Sequence, residues 1–156
     1  MDAPAGPTIA RVREEDLPDL LPLMAAYLEF YETAAETRVL EELCRALLAD
    51  PRHEGVQLLA RTGNGEPVGF VTVYWTWSTT RPGRLAIMND LYVAPGARGT
   101  GLADALIAAC RDLAREHGAR TLSWSTAPGN QRAQAVYDRS GATASSWIEY
   151  ELEVQA

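Results

Sequence analysis

The chain has 156 residues, 47% hydrophobic and 22% charged, with a formal net charge of −7, which fits one globular domain with a real core and leaves little room for two. No apolar run approaches the roughly 18 residues of a membrane span, and the acidic balance argues against nucleic-acid or anionic-membrane binding, both of which need a basic surface. It agrees with a cationic partner such as an amine.

All fourteen basic residues are arginine. The opening MDAPAGPT is acidic and proline-rich. It reads as a disordered tail over residues 1–7 of a cytoplasmic protein, with a single domain over 8–156. Cys44 and Cys110 each sit in an apolar helical stripe, as buried free thiols do in a reducing compartment. His53 and His117 lack metal-ligand spacing, so no metal site is expected, and His117 before Gly118 reads as a helix end.

Thr8 to Arg13 alternates weakly, as a first strand would. Leu17, Leu20, Leu21, Met24, Leu28 and Tyr31 then fall on one helical face. With Asp19 as N-cap, Pro22 falls in the first turn, where its missing N–H costs nothing, so helix one is predicted from about Leu20 to Glu32. A second helix follows Thr37, with Leu40, Leu43, Cys44, Leu47 and Leu48 as its stripe, and ends near Asp50-Pro51. Val56 to Thr62 and Val68 to Trp77, joined by Gly63-Asn64-Gly65-Glu66-Pro67, read as a hairpin.

Leu85 to Val93 is the next strand, stopped by Pro95. A helix begins near Gly101, its stripe formed by Leu102, Leu106, Ile107, Cys110, Leu113 and Ala114. Thr121 to Ser125 reads as a strand, Gln131 to Arg139 as a short helix, and Ala144 to Val154 as one long strand or two short ones. The expected class is α/β (α+β), with a mixed twisted sheet of about six or seven strands and helices on both faces.

The strand–helix junction reads Arg98-Gly99-Thr100-Gly101-Leu102-Ala103. Glycines let backbone approach a ligand closely, the first helical turn leaves N–H groups unpaired, and a guanidinium stands beside them. Together they make a site for phosphate or pyrophosphate. A Walker loop needs Gly-Lys-Ser/Thr and there is no lysine; a dinucleotide fingerprint needs glycine or alanine where Asp104 stands. Neither nucleotide fold fits.

The turn resembles the signature of the GNAT superfamily of acetyl-CoA-dependent N-acetyltransferases, Gln/Arg-x-x-Gly-x-Gly/Ala, matched by Arg98, Gly101 and Ala103. A second segment, from Asn130 to Ala142, matches its N-x-x-A-x-x-x-Y pattern through Asn130, Ala133 and Tyr137. The likeness of the cofactor strand and of W-S-T…N-Q-R-A-Q-A-V-Y is to small-amine and diamine acetyltransferases.

The resemblance implies acetyl-CoA as cosubstrate, with main-chain groups of Leu91, Tyr92 and Val93 pairing to its pantetheine arm. It implies contact from Asn130 to that arm and a proton from Tyr137 to the departing sulfur. A phenol, with a reference pKa of about 10 against about 8.5 for a thiol, stays protonated to do so. Related diamine enzymes carry an acidic pair before the turn; here the pair reads Asn89-Asp90. One carboxylate is missing. Asp90 either deprotonates the amine, attracts it, or is a plain strand-end aspartate.

Strand alternation puts Asp90 and Tyr92 on one face and Asn89 and Leu91 on the other. Tyr27, Glu29, Tyr31 and Glu32 close the first helix, a composition that suits a cationic amine or a solvated helix end. Trp75 and Trp77 share a strand face, as pocket lining or as sheet core. Glu149, Tyr150 and Glu151 are further candidates for the pocket.

The reading is a single-domain enzyme that acetylates a small cationic or amino-acid-like primary amine by direct transfer. No Gly-x-Ser-x-Gly elbow offers a nucleophile. A protein N-terminal or lysine acetyltransferase and a non-catalytic acyl-CoA-binding module stand as alternatives. The resemblance also allows a homodimer paired through the final strand.

Overall fold

The computed structural model describes residues 6–154. The tail expected over residues 1–7 therefore lies, up to residue 5, outside the described residues. By its contacts the chain divides into two compact units, Met1–Ser125 and Thr126–Ala156. Among the described residues no helix is long and apolar enough to cross a membrane.

The first unit is a five-stranded sheet in sequence order: β1 (Thr8–Arg11), β2 (Gly55–Arg61), β3 (Pro67–Ser78), β4 (Gly83–Val93) and β5 (Thr121–Ser123). Neighbours pair antiparallel from β1 to β4, and β5 joins β4 in parallel. Helices α1 (Leu17–Phe30) and α2 (Thr37–Ala49) precede β2, and α3 (Leu102–Glu116) crosses from β4 to β5. A parallel pair needs such a crossover.

Register assigns the two faces. Phe70 pairs with Leu59 and with Tyr92, and this face packs on Leu17, Leu20 and Met24 of α1 and on Leu40 and Cys44 of α2. The opposite face, with Val71, Val73, Ala86 and Met88, lies under α3, all six of whose predicted stripe residues are buried. Gly69 allows the close approach of that helix: a Cβ there would stand 2.8 Å from the Tyr92 carbonyl and 3.5 Å from both Leu102 and Leu106 side chains. Cys44 and Cys110 are buried free thiols; burial pushes the Cys110 thiol up to about 12 and raises Cys44 as well.

Helix α1 starts one turn earlier than predicted, with Asp16 as N-cap and Pro22 inside the helix. The cause is a tertiary ion pair. Arg61 of β2 reaches Asp16 at 2.9 Å and Asp19 at 2.7 Å, fixing the helix start on the sheet and burying Leu17. Burial pushes the Asp16 carboxyl up, but the Arg13 N–H and the Arg61 guanidinium outweigh it and leave the group below its ordinary value. The missing N–H of Pro22 removes one i→i−4 hydrogen bond, which the surrounding core contacts offset.

The second unit contains α4 (Gln131–Arg139), as predicted. The strand expected over Ala144 to Val154 is not formed: those residues pair with no other strand among the described residues. Alternating polar and apolar residues favour extended backbone, but a strand exists only by hydrogen bonding to a neighbour. Here Trp147, Ile148, Tyr150, Leu152 and Val154 are exposed instead. The sheet therefore has five described strands rather than six or seven.

At its C-terminus α3 is fixed by a stack. The His117 imidazole stacks face to face on Trp75, with centroids 3.8 Å apart and planes 8° from parallel, and the Arg84 guanidinium meets its Nε2 at 2.9 Å. A guanidinium only donates, so Nε2 must accept and the ring is neutral. Burial first, then the charges of Arg84, Arg52, His53 and Arg11, hold its pKa below 6.5. The unfolded chain therefore takes up this proton before the folded one does. Stability from this ring is full above pH 6.5 and declines as pH falls through the lower folded value. Denaturant titrations from neutral pH to about pH 5 should show that decline, and His117→Phe, which keeps a stacking ring without a titrating nitrogen, should flatten it.

Candidate active site

Strand β4 forms one wall of the site and has two distinct ends. It pairs with β5 only from Leu85 to Ile87. Beyond that point no strand among the described residues adds to this side of β4, so the edge from Leu91 to Val93 is open at the site implied for a pantetheine arm. An open strand edge presents backbone N–H and C=O groups at strand spacing, which amide groups of an extended ligand can meet.

The turn that follows is exposed from Arg98 to Gly101. Gly99 and Gly101 have φ of 75° and 85°, left-handed values that a Cβ disfavours. Gly101 is the N-cap of α3 and offers no side chain to cap it, so the N–H groups of Leu102 and Ala103 are left for an external acceptor. Arg98 Nε donates to the Val93 carbonyl at 3.0 Å and Thr100 Oγ1 to the Ala97 carbonyl at 2.6 Å. The first bond ties the turn to the end of β4, and the second closes the turn on itself. The residues present fit a pyrophosphate.

Asp90 is set by an irregularity in the β3–β4 ladder. Val73 pairs with Met88 but Thr72 pairs with Asp90, leaving Asn89 as the extra, bulged residue. The bulge reverses the alternation, so Asp90 and Tyr92 lie opposite Met88 and join Thr72 and Phe70 on the α1 face. The expected sharing of a face by Asp90 and Tyr92 holds, with Leu91 opposite. Asn89, exposed, donates its Nδ2 to Asp90 Oδ1 at 3.1 Å.

Tyr27, near the end of α1, meets the same place. Its ring centroid lies 5.0 Å from Tyr31, 5.9 Å from Phe70 and 6.4 Å from Tyr92. Burial first, then the negative charge of Asp90 and the neighbouring Tyr31 hydroxyl, raise the Tyr27 phenol far above its ordinary value. Tyr74 is pushed up to about 12, by burial first and then by Asp90 and Cys44. Glu29 and Glu32 are exposed beside Tyr31. Glu32 takes a left-handed φ of 54° as the chain leaves α1, its N–H bonded to the Glu29 carbonyl and that of Thr33 to Leu28, which closes the helix in the Schellman manner.

Trp75 does not join this group. It is paired with Ala86 on the α3 face, is 7% exposed, and donates its indole N–H to the Pro51 carbonyl at 2.8 Å. Its position is sheet core, away from Asp90. Trp77 is exposed beneath the Arg84 guanidinium. Tyr74 and Phe70, which sequence reading did not select, are the neighbours that define the Asp90 face; the missing signal was the bulge, which shifts the alternation.

In the second unit Asn130 caps α4, its Oδ1 accepting from the Ala133 N–H at 3.2 Å. Ala133 and Tyr137 follow at i+3 and i+7 and lie on one helical face, both half-buried. The Ser140 hydroxyl donates to the Tyr137 carbonyl at 2.6 Å. Glu149, Tyr150 and Glu151 are exposed.

Residues 18–142 match the model of the acetyltransferase (GNAT) family. The chain is 34% identical over 95% of its length, and 98% of the relative's, to the uncharacterized N-acetyltransferase YhfO of Bacillus subtilis (strain 168). It is 26% identical over 95% of its length, and 93% of the relative's, to a thialysine N-epsilon-acetyltransferase of Bos taurus. Among solved structures it resembles one described as a probable acetyltransferase, at 30% identity and a TM-score of 0.82, with 96% of this chain and 99% of that one covered. With the glycine-rich turn at a capless helix start and the open edge of β4, these likenesses make the chain an acyltransferase of the GNAT family.

Proposed function

We propose that the protein transfers an acetyl group from acetyl-CoA directly to the primary amine of a small cationic or amino-acid-like molecule. The observation that carries the reading is the glycine-rich turn, exposed from Arg98 to Gly101 and with left-handed glycines, that follows a strand edge to which no further strand is added among the described residues. Likeness to an enzyme named for a thialysine N-epsilon amine supports a small amine as acceptor, and so does the acidic balance of the chain.

Acetyl-CoA supplies the acetyl group as an activated thioester. On this reading Arg98 and the N–H groups opening α3 hold the pyrophosphate, and Leu91 to Val93 bind the pantetheine amides. The amine must attack as a neutral nucleophile, so its ammonium proton leaves first, to Asp90 or to water in contact with it. Nitrogen then bonds to the acetyl carbon as the carbon–sulfur bond breaks, the phenol of Tyr137 gives its proton to the departing sulfur, and the excess proton left on the acylated nitrogen passes through water to the phenolate, which yields the neutral amide and restores the phenol. Cys44 and Cys110 are buried with raised pKa values, which leaves no thiolate for a covalent acyl-enzyme and favours direct transfer.

The test is release of CoA thiol from acetyl-CoA across a panel of polyamines, amino acids, aminoglycosides and N-terminal peptides. Amine-dependent release is expected with a small cationic acceptor; release with peptides alone would move the assignment to a protein acetyltransferase. Tyr137→Phe should keep cofactor affinity while turnover drops by roughly 10²–10⁴-fold, the size of a lost general acid. Unchanged turnover would remove Tyr137 from that role. Arg98→Glu should weaken acetyl-CoA binding measured by calorimetry, and an unaltered affinity would exclude the phosphate contact.

A further inference from the structure

We propose that the cavity between the C-terminal end of α3 and the β1–β3 side of the sheet is a second ligand site, built for a small monoanionic carboxylate with an apolar body. It goes beyond the acetyl-transfer reading and does not rest on it.

The cavity has a volume of about 320 Å³, at the small end of the range for ligand pockets. Its apolar wall is formed by Val56 of β2, Trp75 of β3 and Leu113 of α3, all three buried. Arg11 of β1 and Arg52 of the α2–β2 loop line it too and are exposed, so they stand at its rim. Segments far apart in sequence thus enclose one space, with carbon on the wall and guanidinium at the mouth. The space is remote from the cofactor turn. Trp75 pairs with Ala86, and the seven residues from there to Val93 span roughly 20 Å at strand rise.

What each polar group already does decides what it can still bind. The Trp75 indole N–H is bonded to the Pro51 carbonyl at 2.8 Å, so the ring contributes apolar surface alone. His117 lines the same cavity, and its Nε2 accepts from Arg84. A neutral imidazole carries its proton on the other nitrogen, so Nδ1 is a donor. Arg52 takes part in no ion pair among the described residues. Arg11 meets Glu116 through one terminal nitrogen at 3.3 Å, and a guanidinium has further N–H groups to give. The groups left over are donors, and donors call for an acceptor.

Charge sets the valence of that acceptor. Two guanidiniums, Arg11 and Arg52, face one carboxylate, Glu116, across the lining, so a single negative charge balances the mouth. A dianion would meet added repulsion from Glu116. Arg84 adds positive charge behind the His117 ring, while His53 is engaged by Asp50 at 2.9 Å. After burial, the charges of Arg84, Arg52, His53 and Arg11 are what hold the His117 ring neutral. In a chain of net charge −7 this end of the sheet is a local positive potential that concentrates anions. A carboxylate matches the planar fork of a guanidinium, and its carbon body gains from leaving water for the wall of Val56, Trp75 and Leu113.

The experiment titrates the full chain with benzoate, benzamide and inorganic phosphate, read by NMR of the His117 ring. The chain has two histidines, and His117→Phe assigns their signals. Benzoate should shift the His117 resonances saturably with a Kd below about 1 mM. Benzamide, which has the ring without the charge, and phosphate, which has charge without the ring, should each bind at least about fivefold more weakly. Arg52→Gln should weaken benzoate roughly three- to fivefold, the size of an exposed ion pair, and the Arg11→Gln, Arg52→Gln double variant by about tenfold or more. Arg38→Gln, which removes the same charge at the other end of α2, should leave the affinity unchanged. Absence of a saturable shift, equal binding of the three probes, or equal losses from Arg38→Gln and Arg52→Gln would overturn the proposal. Saturating CoA should leave benzoate in place; its displacement would put benzoate at the cofactor turn and remove the second site. Benzoate binding with no amine acetylated would sink the transfer reading and leave this site standing.

Discussion

The ladder between β3 and β4 is the interaction on which the rest of the first unit depends. It runs from Gly69–Val93 to Ser78–Gly83, separates the α1–α2 face from the α3 face, and carries the one register shift that aims Asp90. A bulge adds a residue to one strand and reverses which side chains face which layer. Met88 thereby joins the core under α3 while Asp90, two residues on, joins Phe70 and Tyr92 on the α1 face. Had the ladder been regular, the carboxylate would have pointed into the apolar layer occupied by Val73 and Met88, where an unpaired charge is costly.

The two ends of the site obey different physics. At the turn the groups on offer are mostly backbone: N–H groups at an uncapped helix start, left-handed glycines that keep side chains out of the way, and an arginine anchored to the Val93 carbonyl. At the Asp90 end they are side chains, a carboxylate in no ion pair among the described residues, on the sheet face that carries Phe70 and Tyr92. The first suits a polyanion and the second a cation. The two are separated along a single strand, with Asp90 and Val93 only three residues apart.

Arginine elsewhere is used structurally. Arg61 clamps the start of α1 to β2, and Arg84 keeps the His117 ring neutral against Trp75. These contacts join elements distant in sequence and were not visible in local pattern. The helix α1 shows the effect: by capping and proline rules alone it should begin near Leu20, yet an ion pair to a strand some forty residues away fixes it at Leu17. Trp75 shows the same in reverse, since its strand position allowed either pocket or core and a stack with His117 from α3 settled on core.

The sequence by itself determined what depends on short-range period and residue chemistry. The α3 stripe from Leu102 to Ala114 is buried residue for residue, the hairpin of β2 and β3 forms around its glycine-rich turn, and the phosphate-shaped junction from Arg98 to Ala103 was legible because glycine, helix start and guanidinium are adjacent in the chain. Asn130 capping α4 belongs to the same class. Tertiary structure alone decided the face of Asp90, the start of α1 and, among the described residues, the lack of a paired strand after Ala144. Each of these depends on a partner far away in sequence: a bulge is defined against the facing strand, an N-cap was chosen by an arginine of another element, and a strand requires an edge to bond. Periodicity reports what a segment prefers, whereas pairing across the chain decides which preference is satisfied.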